Sequence, residues 1–368
     1  MMLTDVTSCK ELVARFRESV PADKGLLLDF GGCVVQALCS TDTLRDELAA
    51  YFKEFVTPSG SPDIVVSAHE ADPPETGLDF SVKQPDSGKT KIKEEWADLE
   101  DGRVVRKRLT GMHFVFGQGE NATIGPCLAN SNQVINFINN RFIEWKLNLG
   151  GLLGHAAGVA HHGRGISLAG FSGAGKSTLA LHLMSRGTTF ISNDRVMVEQ
   201  NGNGLTMFGV AKQPRINPGT ALHNPDLCNI VEPDMRRDFL AMPPEELWRL
   251  EHKYDALIDE CYGPGRFMLR HTMNALVILN WTRGGGSMKV SMVDPLERAD
   301  LLAAFMRDTG LFYLPADPER AKGPDVGDYA RMLGRADLIE ISGGIDFEGA
   351  STVCLHYMAT GELPENQL

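Results

Sequence analysis

The chain has 368 residues, of which 43% are hydrophobic and 23% charged, a composition typical of a folded protein with room for two domains. Its formal net charge of −12 argues against nucleic acid as a partner, because a polyanion is repelled unless a local basic patch outweighs the overall charge. Seven scattered cysteines without a Cys-x-x-Cys pair, no signal-peptide pattern and no long apolar run predict a cytoplasmic protein that does not enter a membrane.

The first part of the chain predicts a smaller α+β domain. Its expected elements, in chain order, are a hairpin of strands 26–30 and 33–38, a helix from 41 or 42 to about 55, a strand 63–68, an exposed loop 72–93, a hairpin turning at Asp101-Gly102 with residues 103–109 on one side, a strand opening at 112–116, and a helix 131–149. The boundary is placed near Gly150-Gly151, which gives domains 1–150 and 151–368.

The second part predicts an α/β domain with a mainly parallel or mixed sheet, because a strand, a glycine loop, a helix and another strand follow each other closely. Its expected elements are strands 166–169, 188–191, 274–281 and 288–293, and helices 176–186, 245–258, 295–308 and 325–333. The glycines at 283–286 predict a flexible hairpin loop, and residues 341–344 predict a turn with no adequate helix after it.

The strongest motif runs from Gly170 to Thr178 and matches the P-loop spacing glycine-x4-glycine-lysine-serine between a predicted strand and a predicted helix. Such a loop turns its backbone N–H groups toward a phosphate at the start of a helix. The lysine reaches the β- and γ-phosphates, and the serine hydroxyl binds Mg²⁺. The residues expected to bind the nucleotide are Gly170, Ser172, Gly173, Ala174, Gly175, Lys176, Ser177 and Thr178.

A metal in such a site also needs a carboxylate at the end of a neighbouring strand. Asp194 directly follows the predicted strand 188–191 and comes 18 residues after Lys176, so we expect it to bind Mg²⁺ together with Ser177. The alternative is that Asp194 only caps a turn.

Three features resemble the HPr kinase/phosphorylase family and its relative, ATP-dependent phosphoenolpyruvate carboxykinase. They are the extra Ser172 and Gly173 of the loop, the stretch from Arg186-Gly187 to Asp194, and His155, which lies fifteen residues before Gly170. The similarity covers roughly residues 150–220, and the whole chain is most similar to the HprK-related kinase B branch. The resemblance implies a P-loop kinase domain that uses ATP and Mg²⁺ to phosphorylate a hydroxyl of a protein, on serine or threonine, or of a small molecule. It also implies that the chain can form homo-oligomers.

One position departs from the family pattern. The family's first aspartate of a pair, which acts there as the base, is Asn193 here, while the second is retained as Asp194. Asparagine cannot accept a proton near neutral pH. Either another group such as His155 is the base, or the transfer needs little help from a base. His155 can equally be an internal hydrogen-bonding residue.

Arg215 lies in a proline-containing loop after the acidic strand and is a candidate for stabilising charge on the transferred group, because its planar fork can bind two oxygens. An ordinary surface salt bridge is the alternative. The leading function is therefore a kinase with His155, Lys176, Asn193, Asp194 and Arg215 at its catalytic centre. A nucleotide-dependent switch or ATPase without a phosphoacceptor remains open because of Asn193. A carboxykinase is disfavoured, since no matching cluster of histidine and lysine is found.

Overall fold

The computed structural model describes residues 6–85, 90–250 and 252–365. The chain is a mixed α/β protein with several sheets, and it divides into two compact units. The first unit comprises Met1–Asn148 and Thr309–Ala321, and the second comprises Leu149–Asp308 and Lys322–Leu368. A division at residue 150 alone would leave Thr309–Ala321 with the second unit. Within the described ranges, no helix has both the length and the apolar character that a membrane span requires.

The first unit is built, within its described residues, on one eight-stranded sheet. Its elements are α1 (Cys9–Ser19), β1 (Lys24–Asp29), β2 (Val34–Cys39), α2 (Asp42–Tyr51), β3 (Ile64–Glu70), β4 (Ser81–Val82), β5 (Glu94–Leu99), β6 (Gly102–Lys107), β7 (His113–Gly117), β8 (Glu120–Gly125) and α3 (Ser131–Asn148). The strand order is β1-β2-β3-β8-β7-β6-β5-β4, in which β2, β3 and β8 run parallel and the other neighbours are antiparallel.

The predicted hairpin of β1 and β2 is confirmed, as are the helices α2 and α3. Helix α1 was not predicted, although its buried side chains Cys9, Leu12, Val13 and Phe16 follow the i, i+3, i+4, i+7 spacing of an amphipathic helix. It packs on the sheet through these side chains. The predicted loop 72–93 contains the short strand β4, and its residues 86–89 lie outside the described ranges.

The second unit contains more elements, which begin directly after α3. They are β9 (Leu152–Gly154), β10 (Ala156–His161), β11 (Arg164–Gly170), α4 (Lys176–Met184), β12 (Thr189–Ser192), β13 (Val196–Asn201), β14 (Gly204–Phe208), β15 (Arg215–Ile216), α5 (Pro218–Leu222), α6 (Pro233–Leu240), α7 (Pro244–Arg249), β16 (Tyr254–Asp255), α8 (Ile258–Tyr262), β17 (Arg270–Met273), β18 (Ala275–Thr282), β19 (Lys289–Val293), α9 (Ala299–Leu302), α10 (Val326–Leu333), β20 (Asp337–Gly344) and α11 (Phe347–Thr360).

The main sheet of this unit is mixed, as the sequence predicted. Its strand order is β12-β10-β11-β18-β20-β19, in which β18 is parallel to both β11 and β20 and the outer pairs are antiparallel. A second sheet has the order β17-β14-β13-β9. The carboxyl ends of β11, β18 and β20 therefore meet at one edge of the main sheet, which is where α/β proteins bind ligands.

Two apolar layers cover the two faces of the main sheet. Helices α4 and α11 pack on one face, where Leu179 and Val353 contact Val277 and its neighbours. Helices α9 and α10 and the second sheet cover the other face, on which Leu276 and Ile278 point the opposite way. Because both faces of β18 are buried, its sequence is apolar without alternation, which is why this strand could be predicted.

Four predictions about this unit were wrong. The helix 245–258, of which residue 251 lies outside the described ranges, is divided into α7, β16 and α8, since β16 pairs with β15 instead of continuing the helix. The helix 295–308 is regular only in α9. Residues 341–344, predicted as a turn, belong to β20, which leads into α11. The loop 283–286 does not close a hairpin either, because β18 and β19 both pair with β20.

Candidate functional site

The glycine loop, Gly170 to Thr178, connects β11 to α4 at the edge where the parallel strands end. Gly173 has φ +82° and Gly175 has φ +87°, a left-handed conformation that favours glycine. A Cβ at Gly175 would also lie 2.6 Å from Cζ of Phe347. Gly175 is the N-cap of α4, and no side chain caps this helix start. Its first backbone N–H groups therefore have no side-chain acceptor at the N-cap.

Lys176 is buried at the start of α4, and its Nζ donates a hydrogen bond to the carbonyl oxygen of Gly170 at 2.8 Å. Burial lowers the pKa of this ammonium from its ordinary value. Trp281 Nε1 donates to the carbonyl oxygen of Ala174 at 2.8 Å, and this bond holds the middle of the loop against β18. This buried ammonium thus has a neutral carbonyl as its hydrogen-bond partner among the described residues.

His155 and Asp194 form a pair in the same cleft. His155 Nε2 lies 3.1 Å from Asp194 Oδ1, and Arg307 Nη1 lies 3.6 Å from the same oxygen. Burial raises the pKa of the Asp194 carboxyl, but the His155 hydrogen bond and the charges of Arg307 and Arg195 outweigh it and hold this pKa well below its usual range. Asp194 is therefore ionised at neutral pH.

Two side-chain amides in the cleft carry buried oxygens without a hydrogen-bond partner in the described part of the chain. They are Oδ1 of Asn193, which precedes Asp194, and Oδ1 of Asn217, which precedes α5. An unsatisfied buried carbonyl costs about 1–3 kcal/mol, so a structure retains one mainly where a ligand or water satisfies it. Both residues line the cleft, so a shift of either side chain would let its oxygen accept a hydrogen bond from a bound molecule.

Arg215 also lines the cleft, but its Nε lies 3.1 Å from Asp255 Oδ1, and this ion pair links β15 to β16. Both side chains are exposed. The salt bridge that the sequence offered as the alternative is therefore present. A role of Arg215 in catalysis stays a prediction.

The structure brings nearly all of the predicted site residues together around one cleft of about 620 Å³. Those that line it are His155, Ser172, Gly173, Ala174, Gly175, Lys176, Ser177, Thr178, Asn193, Asp194 and Arg215. Gly170 contributes the carbonyl that binds Lys176. Among the described residues, no group of three or more histidine, cysteine, aspartate or glutamate side chains could hold a metal ion on its own.

Several lining residues were not found by sequence reasoning. The lining residues that were not predicted as site residues are Ile216, Asn217, Thr220, Trp248, Lys253, Arg283, Gly284, Ile345 and Phe347. Thr220 shares a 3.1 Å hydrogen bond with Thr178. These residues come from segments that follow the glycine loop by 38 residues or more, so only the tertiary fold places them in the cleft.

Comparisons with known proteins add little to this geometry. No family model matches the chain, and no curated protein matches it. Among solved structures, the Hpr(Ser) kinase/phosphatase from Coxiella burnetii is weakly similar, with 14% sequence identity and a TM-score of 0.29. The match covers 56% of this chain and 95% of that chain. So low a TM-score does not establish a shared function.

Proposed function

We propose that the second unit binds ATP with Mg²⁺ in this cleft and transfers the terminal phosphoryl group to a hydroxyl of a protein or small molecule. The observation that carries the proposal is the uncapped start of α4, with Lys176 beside it, in the same cleft as the ionised Asp194. The HPr kinase-like assignment stays a proposal with it.

The residues of the cleft fit this ligand. The glycine loop offers backbone N–H groups and the positive end of the α4 dipole to phosphate oxygens. Lys176 exchanges one neutral acceptor, the Gly170 carbonyl, for a charged one, and charge-assisted hydrogen bonds are about twice as strong as neutral ones. The Ser177 hydroxyl and the Asp194 carboxylate are oxygen donors of the kind that Mg²⁺ prefers. When bound, ATP with Mg²⁺ supplies the phosphoryl group and neutralises its charge.

The side chains near Asp194 divide the remaining tasks. His155 Nε2 faces the Asp194 carboxylate, which leaves Nδ1 as the ring nitrogen that would take the proton of the acceptor hydroxyl. Asn193 cannot be a base, but its unpaired Oδ1 can accept a hydrogen bond from the acceptor hydroxyl and orient it. Positioning and charge stabilisation do most of the work in phosphoryl transfer, so a weak base is compatible with the reaction.

A second candidate is a nucleotide-dependent switch that hydrolyses ATP slowly and has no phosphoacceptor. The observation that favours it is Asn193, because the position beside Asp194 offers no carboxylate to a substrate hydroxyl. The two candidates share the nucleotide site and differ only in where the phosphoryl group goes.

The experiment incubates the purified chain with γ-labelled ATP, Mg²⁺ and a cell extract. We expect label on a discrete acceptor with the wild type, and a loss of about 100-fold or more in Lys176→Ala, which removes the charge aimed at the terminal phosphates. Lys322→Ala is the matched control, because Lys322 is exposed and does not line the cleft.

The outcomes separate the candidates. Labelled acceptor in the wild type and the control but not in Lys176→Ala supports the kinase. Release of free phosphate that depends on Lys176, with no labelled acceptor, supports the switch instead. Equal activity of Lys176→Ala and wild type would contradict both.

A further inference from the structure

The first unit contains a cavity of about 540 Å³ that is independent of the glycine loop, and it is called the basic cavity below. Residues 91–93, residues 107–110 at the end of β6, helix α3 and Phe312 line it. Its volume lies within the range of about 300–1,000 Å³ that small-molecule sites occupy.

The charged side chains that line the basic cavity are all cations, namely Lys91, Lys93, Lys107 and Arg108. Two carboxylates lie beside them. Glu94 Oε1 forms an ion pair with Lys107, and Glu95 Oε2 lies 4.0 Å from Arg108 Nε while also binding Arg106. Lys91 and Lys93 are exposed at the cavity. In a chain of net charge −12, this concentration of cations attracts a bound anion.

The floor of the basic cavity is aromatic. Phe312 lies 5.6 Å from Phe114 and 6.2 Å from Phe137, measured between ring centroids, with interplanar angles of 77° and 66°. The Nζ of Lys107 lies 5.3 Å from the Phe312 ring centroid. A flat ring that packs against these aromatic side chains therefore lies next to the cations of the cavity.

The wall that α3 supplies is polar. Gln133, Asn136 and Asn140 stand at helical spacings of three and four residues, so they share one stripe that faces the cavity. Amides can bond the polar edge of a ring, whereas a wall for an alkyl chain needs no such groups.

The floor is fixed to the same helix. The Phe312 carbonyl oxygen accepts a hydrogen bond from the buried Arg141, and Leu314 N donates to Glu144 Oε1 at 2.9 Å. Asn148 Nδ2 donates to the Leu314 carbonyl oxygen at 3.2 Å. The segment that carries Phe312 is thus tied to α3, and the cavity is a built feature of the first unit instead of a gap under a loose loop.

We propose that the first unit binds, in the basic cavity, a small anion whose acidic group is attached to a planar ring. Lys91, Lys93 and Arg108 hold the acidic group, and the ring lies on Phe312. This chemistry is common to aromatic acids and to nucleoside monophosphates. The proposal does not depend on the function proposed for the second unit.

The probe for this site is 1-anilinonaphthalene-8-sulfonate, a planar-ring sulfonate whose fluorescence rises when its rings leave water. We expect one site per chain, with at least tenfold weaker binding in Lys91→Glu/Lys93→Glu, because each reversal replaces an attraction by a repulsion. The control is Lys10→Glu/Lys322→Glu, which changes the net charge equally at two exposed lysines outside the cavity. Phe312→Leu should weaken the probe as well, with thermal unfolding recorded to verify its fold.

Competitors define the ligand class. We expect salicylate or AMP to displace the probe, and the one that binds more tightly identifies the ligand as an aromatic acid or a nucleotide. Octanoate should fail because it has no ring, and benzyl alcohol should fail because it has no acidic group. Failure of both salicylate and AMP, or equal displacement by octanoate, would overturn the proposal. So would equal weakening by the control variant, or a probe site that responds to Lys176→Ala and not to Lys91→Glu/Lys93→Glu.

Discussion

Two connections from a strand to a helix, called the two passages below, lie side by side in the second unit. They differ in whether a side chain caps the start of the helix. Strands β11 and β20 flank β18 in parallel, and each ends in glycine before a helix, α4 or α11. At α11 the N-cap is Asp346, whose carboxylate accepts a hydrogen bond from Gly349 N at 2.9 Å. At α4 the N-cap is Gly175, and no side chain caps it.

The difference explains why only one of the two helix starts is a candidate for binding phosphate. A helix start attracts an anion because its first N–H groups have no partner inside the helix. Asp346 already supplies that anion to α11 from within the chain. At α4 the first backbone N–H groups remain available to a ligand, with Lys176 beside them. The helix therefore lacks the stability that a side-chain cap would give.

The largest expected effect concerns Asp194, the carboxylate of the cleft, compared with Asp346, the carboxylate that caps α11. Asp194→Asn should lower phosphoryl transfer or ATP hydrolysis about 100-fold, because it removes the negative charge that faces His155 and that would bind Mg²⁺. Asp346→Asn is the matched control and should leave both activity and stability nearly unchanged, since asparagine caps helices as well as aspartate does. Activity is measured with γ-labelled ATP, and stability by thermal unfolding.

Equal losses of activity in these two variants would contradict the different roles given to Asp194 and Asp346, because the activity would then depend on both carboxylates at this sheet edge. Loss in Asp346→Asn alone would transfer the phosphate site to α11.

The sequence predicted the first passage and not the second, and the reason is physical. The path from β11 to α4 follows from local chemistry, because glycines at left-handed positions and a lysine at the helix start determine it within nine residues. Helix α11 packs beside α4 on the same face of the main sheet, and its apolar residues are not confined to one stripe of the kind that identifies a surface helix. Its start was consequently interpreted as a turn.

The candidate site divides in the same manner. Lys176, Ser177 and Asp194 belong to one short stretch of sequence and could be named from their spacing. The contact of His155 with Asp194 joins residues on either side of β10 and β11, and only the sheet brings them to 3.1 Å. The partnerless oxygen of Asn217 could not be predicted either, because an unsatisfied buried group is a property of the packed structure and not of a residue type.

An intermediate effect tests the contact between the two passages. Gly173→Ala should cost about 1–2 kcal/mol of unfolding free energy, because alanine is strained at φ +82° and nothing lies within 4 Å of the added Cβ. Gly175→Ala carries the same strain and also meets the Phe347 ring, so it should cost about 1–3 kcal/mol more. Denaturant unfolding of both variants measures the difference.

A double-mutant cycle isolates that contact. Phe347→Leu should relieve part of the loss in Gly175→Ala, with a coupling of about 1 kcal/mol, and should add independently to Gly173→Ala. Additive losses of unfolding free energy in both pairs would show that Phe347 of α11 does not restrict the residue at position 175 of the glycine loop.

The smallest expected effect is on stability alone. Asp346→Ala removes the cap of α11 and should lower the unfolding free energy by about 1 kcal/mol while leaving ATP affinity unchanged, because the uncapped N–H groups of α4 are untouched. Calorimetric titration with ATP and Mg²⁺ measures the affinity, with Asp346→Asn as the variant that restores the cap. A clear rise in ATP affinity or a second ATP site in Asp346→Ala would mean that the Asp346 cap prevents ATP from binding at the start of α11. No change in affinity would instead mean that an open helix start is insufficient without a lysine such as Lys176.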